Sequence, residues 1–370
     1  ITQGIALSGS LLTLFLFYEL LTLATYPLVT HAGTPEAKRA GRLYLGILMG
    51  TSILFMLPAI IWSASLAGHL NFILGGILPE GTSSTTLNIL LLLFVFGCAK
   101  TALMPFHRWL PGAMVAPVPV SALLHAVAVV KAGVFTLLKI VLYIIGADQV
   151  SQLFSAELLA YLAGFTLVAA SIIALRKDNI KARLAYSTIG QLSYIVLAAM
   201  LANSASLIGG SMHIASHAFG KITLFFCAGA ILLATHKTKV SELNGIGRRI
   251  PITMGMFALA ALSTIGLPPF AGMWSKWWLI QGTVDSGMIV LTAALLISSL
   301  LNLVYLLELP VRAFFYSRVY SSESPTPPQI THMTEAPTLN LVALSITTFI
   351  CLLLFLFPES WFELLGRLSP

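Results

Sequence analysis

Long runs of apolar residues, separated by short polar segments, extend along the chain from end to end. A transmembrane helix needs about 20 predominantly apolar residues, and ten stretches of this sequence meet that requirement. We predict spans at residues 8–30, 43–66, 86–106, 117–146, 156–175, 184–203, 206–235, 251–281, 288–311 and 338–357. The pattern therefore predicts an all-α polytopic membrane protein.

The composition excludes most soluble classes. Of the 370 residues, 58% are apolar and 9% are charged, whereas a typical soluble domain has about 25% charged residues. An ordinary soluble enzyme, a disordered chain and a nucleic-acid-binding domain are thereby excluded. The three cysteines are isolated in apolar runs, and no Cys-x-x-Cys, Walker or dinucleotide-binding glycine pattern occurs. We therefore expect no cofactor and no redox chemistry in this chain itself.

Basic residues concentrate in alternate loops. They are Lys38, Arg39, Arg42, Arg108, Arg176, Lys177, Lys181, Arg183, Lys237, Lys239, Arg248, Arg249, Arg312 and Arg318. Basic loops remain in the cytoplasm, so we expect both ends of this sequence on the outer side of a bacterial or archaeal-type plasma membrane. Residues 320–337 are polar and proline-rich, which predicts a cytoplasmic connector before the last span.

Five ionisable residues interrupt the apolar spans. They are Glu19, Lys100, Lys131, Lys221 and Lys276. Together they would cost on the order of 10–15 kcal/mol at the bilayer centre, which is as large as a typical net stability of about 5–15 kcal/mol. Such groups must pair, face water or lose their charge, and each of these solutions indicates an ion path.

Histidines accompany two of the lysines. His213, His217 and Lys221 follow at i, i+4 and i+8, so they share one helix face over about 12 Å. This spacing favours a proton relay, with a haem or metal ligand pair and a structural polar interface as alternatives. His125 precedes Lys131 by six residues, about 120° away around the helix, so we expect no direct contact between them. A satisfied core histidine is the alternative for His125.

Proline and glycine break two of the spans beside a lysine. Pro105 follows Lys100, and the group Gly266, Pro268 and Pro269 precedes Lys276. Two such spans, five apart, are typical of an inverted repeat. We therefore assign 1–146 to the remainder of a first repeat, 147–317 to a second repeat, and 318–370 to the connector and the last helix. The breaks are expected near 100–111 and 264–272.

Six stretches resemble one family in combination. They are FYELLTLATYPLV, AKTALMPFHRWLPGAM, SALLHAVAVVKAGVF, DNIKARLAYSTIGQLSYIVLA, HIASHAFGKITLFF and GLPPFAGMWSKWWLI. The family is that of the antiporter-like proton-translocating subunits of respiratory complex I, membrane-bound hydrogenases and Mrp-type sodium/proton antiporters. Its members have about fourteen spans, and the ten found here resemble the fifth to the fourteenth. The first four are therefore expected either in a missing part of the chain or in a partner. The stretch THAGTPEAKRAG and the short tail are most similar to the Mrp D-type subunit, with hydrogenase-like and inorganic-carbon-uptake relatives left open.

The resemblance also implies roles for the ionisable residues. Glu19 is similar to the glutamate of the fifth span and Lys100 to its partner on the first broken helix. Lys131, with His125 nearby, is similar to the central transfer group. The motif at 213–221 is similar to the linking relay, and Lys276 to the terminal lysine.

The implied function is proton translocation within a complex of integral membrane subunits in a lipid bilayer, with no nucleic acid, and Na⁺ is left open as a second cargo. Two alternatives remain. One is a proton-pumping membrane-arm subunit of a complex I- or hydrogenase-like oxidoreductase. The other is a structural subunit that does not transport.

Overall fold

The computed structural model describes residues 1–317 and 335–366. Within those ranges the chain is helical, with no β-strand beyond two isolated bridges. The principal helices are α1 Leu11–Val29, α2 Pro35–Ala67, α3 Ser84–Gly97, α4 Val118–Ile145, α5 Phe154–Arg176, α6 Ile180–Leu201, α7 Ser204–Thr235, α8 Pro251–Ile265, α9 Gly272–Asp285, α10 Ile289–Phe315, α11 Thr338–Leu356 and α12 Glu359–Gly366. Arg318 and most of the predicted connector, up to residue 334, lie outside the described residues.

Eight helices of the described residues are long and apolar enough to cross a membrane, and α3 and α8 are shorter apolar helices. These ten segments correspond to the ten predicted spans, and the predicted fold class is confirmed. The second span begins at Pro35, eight residues earlier than expected. Its polar first turns were not counted as membrane-spanning, but the Thr34 hydroxyl caps them by accepting from the backbone N–H of Ala37 at 3.2 Å.

The first break separates α3 from α4. Helix α3 ends at Gly97, and Lys100 lies in a single 3₁₀ turn, Ala99–Thr101. The indole Nε1 of Trp109 donates to the Ala99 carbonyl at 3.0 Å. The same carbonyl also accepts from the backbone N–H of Ala102 at 2.9 Å, so the indole is its second donor and ties Trp109 to the 3₁₀ turn.

The second break separates α8 from α9. Helix α8 ends at Ile265, and Gly266 follows with a φ of +92°, a conformation that suits glycine. Helix α9 then begins at Gly272. The Met104–Pro105 and Pro268–Pro269 peptide bonds, one in each break, are cis. The helices are thus interrupted after Gly97 and after Ile265, whereas the division into two inverted repeats stays a prediction.

Helix α4 contains two wide turns that the sequence pattern did not predict. Residues Leu123–Val127 and Val141–Ile145 have π-helical bonding. A regular α-helical segment, Val129–Ile140, lies between them and carries Lys131. Helices α4 and α6 are the most enclosed spans, since 83% and 94% of their most apolar windows are buried. They therefore place their polar side chains in the protein interior rather than against lipid.

Candidate functional site

The four intramembrane lysines that the sequence singled out are all buried. Lys100 and Lys221 have no exposed surface, and Lys131 and Lys276 are 6% exposed. Lysine is almost never fully buried without a partner. The contacts of each ammonium or amine group therefore define the site.

Lys100 contacts the helix that carries Glu19. Its Nζ donates to the backbone carbonyl of Tyr18 at 2.6 Å and lies 3.1 Å from the centroid of the Tyr18 ring. Helix α4 packs directly on this turn, because a Cβ added at Gly133 would lie 2.5 Å from the carbonyl carbon of Lys100. The lysine is thus held between α1 and α4.

Glu19 is next to that contact but takes no part in it. Both of its carboxylate oxygens are buried and make no hydrogen bond of normal geometry within the described residues, and the Ser52 side chain on α2 is the polar group that faces them. Within residues 1–317 and 335–366, no ion pair joins Glu19 to Lys100. The predicted partners are therefore neighbours that are not paired in this conformation, with Lys100 bound to the Tyr18 carbonyl instead.

Lys131 joins α4 to α7. Its Nζ lies 2.5 Å from Nδ1 of His217. His217 Nε2 is buried and has no hydrogen-bond partner among the described residues. The structure therefore brings together two groups that the sequence analysis placed in separate parts of the path.

His125 is buried on the same helix as Lys131, outside this contact. Its ring lies against Phe225, with 5.2 Å between the ring centroids. Neither of its nitrogens has a hydrogen-bond partner in the described part of the chain. A satisfied core histidine would have such a partner, so that alternative does not describe His125.

His213 continues a line of buried side chains towards α6 and α9. We call this line the interior row; its members are Lys100, Lys131, His217, His213 and Lys276. Its ring centroid lies 6.0 Å from that of His217. Its Nε2 contacts Oε1 of Gln191 at 2.9 Å, and its Nδ1 contacts the hydroxyl of Ser275 at 2.9 Å. Tyr194 lies on its other side, at 5.5 Å between ring centroids.

Lys276 lies at the end of the row, beside the second break. Its Nζ donates to the carbonyl of Ile265 at 2.7 Å and to the hydroxyl of Ser299 at 3.1 Å. Ile265 is the last residue of α8, and the carbonyl end of a helix favours a cation. Tyr194 completes the site, because its hydroxyl lies 3.1 Å from that of Ser299 and Lys276 Nζ lies 4.9 Å from its ring.

Lys221 lies on the same helix as the two histidines but is turned away from them. Its Nζ donates to the hydroxyl of Ser187 on α6 at 2.5 Å. The hydroxyl of Tyr305 on α10 lies 2.8 Å from that of Ser187. Lys221 is thus connected to a side group of hydroxyls rather than to His217.

Several of these partners were missed by the sequence analysis. They are Ser187, Gln191, Tyr194, Ser275, Ser299 and Tyr305. Ser187 and Gln191 are four residues apart in a span that is otherwise largely apolar, and this spacing on one helix face is a signal that could have identified them. No cluster of three or more His, Cys, Asp or Glu side chains that could hold a metal ion occurs in the described ranges.

The fold and the interior row define a class: a multi-pass membrane protein in which two broken helices each carry a buried lysine. Residues 8–302 match the family described as NADH:quinone oxidoreductase/Mrp antiporter, TM. The chain belongs to this family, as the sequence motifs predicted.

Relatives of two kinds, an oxidoreductase subunit and an antiporter subunit, are similar to the chain. The N-type subunit of the NADH-quinone oxidoreductase of Desulforudis audaxviator is 35% identical over 333 residues, which cover 88% of this chain and 65% of the relative. The D-type subunit of the Na(+)/H(+) antiporter of Alkalihalophilus pseudofirmus is 28% identical over 323 residues, which cover 87% of this chain and 65% of the relative. The chain thus spans just under two thirds of the length of each.

A solved structure shares the fold. A chain of the Mrp complex from Dietzia sp. superposes with a TM-score of 0.83 at 26% identity, and the match covers 99% of this chain and 39% of that chain. Antiporter-like membrane subunits of multisubunit complexes therefore have the architecture described above.

Proposed function

We propose that this chain is a proton-translocating, antiporter-like subunit of a multisubunit membrane complex and that protons move along the interior row. The observation that carries the proposal is the direct contact of Lys131 with His217 in the middle of that row. The residues of the proposed path are Glu19, Lys100, His125, Lys131, His213, His217, Lys221 and Lys276.

The Lys131–His217 pair can carry one positive charge, that is, one proton more than the two neutral side chains have. An ammonium group has only donors, so His217 Nδ1 must be unprotonated when Lys131 is charged. Two positive charges 2.5 Å apart would repel each other by roughly 7 kcal/mol at an effective dielectric constant of about 20. A proton that arrives on one partner therefore displaces the proton of the other.

The two ends of the row can exchange protons with different surroundings. Lys100 lies beside the unpaired carboxylate of Glu19 at the first break, and Lys276 lies against the carbonyl end of α8 at the second. Moving one charge across a membrane potential of 100 mV requires about 2.3 kcal/mol, which is less than the repulsion within the central pair. The repulsion within the pair is therefore large enough to transmit such a step, whose energy must be supplied from outside the row.

The orientation in the membrane is inferred from the charge pattern, and the partner subunits and cargo are inferred from the relatives. Basic loops on one side indicate that side as cytoplasmic, so we place both ends of this sequence on the outer side of a bacterial or archaeal-type plasma membrane. Other integral membrane subunits are the expected partners. The relative named as part of a Na(+)/H(+) antiporter supports Na⁺ as a second cargo.

A second function has support of its own. The 35% identity to the N-type subunit of an NADH-quinone oxidoreductase favours a proton-pumping subunit in the membrane arm of such an oxidoreductase. The row would work in the same way, but soluble partners would supply the energy. Flavin or iron–sulfur subunits that co-purify with the chain would support this alternative, and small hydrophobic subunits would support the antiporter.

Proton movement into inverted membrane vesicles that contain the whole complex tests the proposal. We expect Lys131→Met to lower the rate at least tenfold, because the central pair loses one member. Lys139→Met is a matched control on the same helix: Lys139 is half-buried, donates to the Ser8 carbonyl at 2.7 Å and lies outside the row. Wild-type transport by Lys131→Met would contradict the proposal and would favour a structural subunit.

A further inference from the structure

Lys221 is connected to a chain of three uncharged polar side chains between α6, α7 and α10. Its Nζ donates to the Ser187 hydroxyl at 2.5 Å, and the hydroxyl of Tyr305 lies 2.8 Å from that of Ser187. The Tyr305 hydroxyl is also hydrogen-bonded to Oδ1 of Asn302. All four residues are buried, and Asn302, with 1% exposure, is the most exposed of them.

The Tyr305 end of this hydrogen-bond chain is held by two ion pairs that share Glu308. They lie towards the side of the membrane that we propose to be cytoplasmic. Arg183 donates to the backbone carbonyl of Tyr305 at 3.0 Å and to the carboxylate of Glu308 at 2.6 Å. Arg312 contacts the other oxygen of Glu308 at 2.8 Å. These bonds fix the backbone of Tyr305, but they leave its hydroxyl able to donate to either Ser187 or Asn302.

When Lys221 is charged, one direction of the hydrogen bonds gives every oxygen of the chain a donor. An ammonium group has donors only, so the Ser187 oxygen accepts from it. The hydroxyl hydrogen of Ser187 then goes to the oxygen of Tyr305, and the hydroxyl hydrogen of Tyr305 goes to Oδ1 of Asn302. Every oxygen along the chain has a donor in this arrangement.

When Lys221 loses its proton, the amine nitrogen becomes an acceptor. Ser187 can then donate to Lys221, and Tyr305 donates to Ser187 in turn. Asn302 Oδ1 loses its only described donor, and Asn302 Nδ2 is already a buried amide nitrogen without a partner among the described residues. If the bonds do not reverse, Lys221 keeps donating through its N–H groups, but the lone pair of its own amine then has no donor. One buried acceptor is therefore unpaired in either arrangement, which is costly and disfavours the neutral state of Lys221.

The charged groups around Lys221 make this effect important. Lys131 on α4 and Lys276 on α9 act on Lys221 electrostatically. Lys221 acts in the same way on His125, His213 and His217. All of these groups are basic. Neither ion pair of the described residues includes Lys221, so the uncharged chain is what favours its ammonium form.

We propose that Ser187, Tyr305 and Asn302 are positioning residues for Lys221: their hydrogen bonds retain a proton on it and reverse direction when that proton leaves. This inference rests on the proposed function, because it gives Lys221, a member of the proposed path, the role of a proton store next to the Lys131–His217 contact. It goes further by assigning three residues that the row does not contain.

The pH profile of transport by the whole complex in inverted vesicles provides the first test. We expect Asn302→Leu and Tyr305→Phe to lower the pH of half-maximal rate by about one unit, the size of one hydrogen bond. Asn302→Asp supplies a stronger acceptor and is expected to raise it. Tyr44→Phe, which removes a buried hydroxyl bonded to Thr25 at 2.6 Å, is the control and leaves the midpoint unchanged. Equal midpoints in all variants would overturn the inference.

Infrared difference spectra of the purified complex between low and high pH provide a test that needs no transport. We expect an amide carbonyl band that shifts with pH in the wild type and is lost in both Asn302→Leu and Lys221→Met. If the spectra of the wild type and Asn302→Leu coincide, the inference is wrong. If the band behaves as expected but the wild type moves no protons, the proposed function fails and the hydrogen-bond chain stands. Tyr305→Phe removes a single oxygen atom and serves both tests if the Asn302 variants do not assemble.

Discussion

Replacing Gly133 with alanine disturbs the site without removing any ionisable group. The new Cβ would lie 2.5 Å from the carbonyl carbon of Lys100, 2.6 Å from the amide nitrogen of Thr101 and 2.7 Å from Cβ of Lys100. All three distances are below 3.0 Å, which real Cβ atoms essentially never show, so the break and α4 must move apart. Relief to ordinary van der Waals contact, which starts at 3.4 Å, requires a displacement of close to 1 Å.

The size of the effect follows from that displacement. Overpacking of this kind costs about 1–3 kcal/mol, which a stable membrane protein survives. A misplacement of about 1 Å can lower a rate on the order of 100-fold. We therefore expect Gly133→Ala to assemble at a slightly lower melting temperature and to transport protons 10- to 100-fold more slowly, on the order of that limit.

The measurement is proton uptake by inverted vesicles, together with thermal unfolding of the purified complex. Gly46→Ala is the matched control, because Gly46 lies within α2 and a Cβ there meets nothing within 4 Å. Both changes gain the same helix propensity, about 1 kcal/mol, so the difference between them reports the contact with Lys100. Equal transport rates for the two variants would refute the reasoning.

Three further changes test separate parts of the site. Glu19→Gln keeps the shape but removes the charge, and we expect proton uptake to fall at least tenfold. Trp109→Phe removes one of the two donors to the Ala99 carbonyl, which is expected to lower the free energy of unfolding by about 0.5–1.5 kcal/mol, as measured by thermal or denaturant unfolding. Ser299→Ala removes the hydroxyl that Lys276 shares with Tyr194, and we expect a several-fold slower uptake with normal assembly.

For each of these three predictions, one outcome would contradict it. Uptake at the wild-type rate by Glu19→Gln would remove the carboxylate from the path. An unchanged unfolding transition in Trp109→Phe would mean that the indole adds nothing to the bond that the Ala99 carbonyl accepts from Ala102. Ser65→Ala is the control for the serine change, because Ser65 donates only to the Ile61 carbonyl in the same helix. If it slows uptake as much as Ser299→Ala does, the loss is not specific to Lys276.

The features predicted well from the sequence are those for which the apolar bilayer allows only one structural arrangement. Apolar length alone located the ten spans, and a lysine in an apolar run had to be buried within the protein. Proline and glycine located both breaks, because no regular helix continues through Pro105 or through Pro268 and Pro269.

The partners of the buried groups could not be predicted in the same way. Tyr18 and Glu19 are consecutive residues about 100° apart on a helix, so only the packing of α1 decides which of them Lys100 meets. Lys221 is on the face predicted for a relay, but its four-carbon side chain reaches Ser187 on another helix. Hydroxyl residues in apolar helices are common and usually bond to their own backbone, so their role depends on tertiary structure.

The two π-helical turns of α4 set the direction in which Lys131 points. Each wide turn holds an additional residue compared with an α-helical turn, which resembles a single-residue insertion. Deleting one residue from Leu123–Val127 would rotate everything before it by about 100° relative to the segment that follows. The first wide turn thus offsets Val129–Ile140 in rotation from the short segment Val118–Ala122, and this offset decides that Lys131 faces His217 on α7.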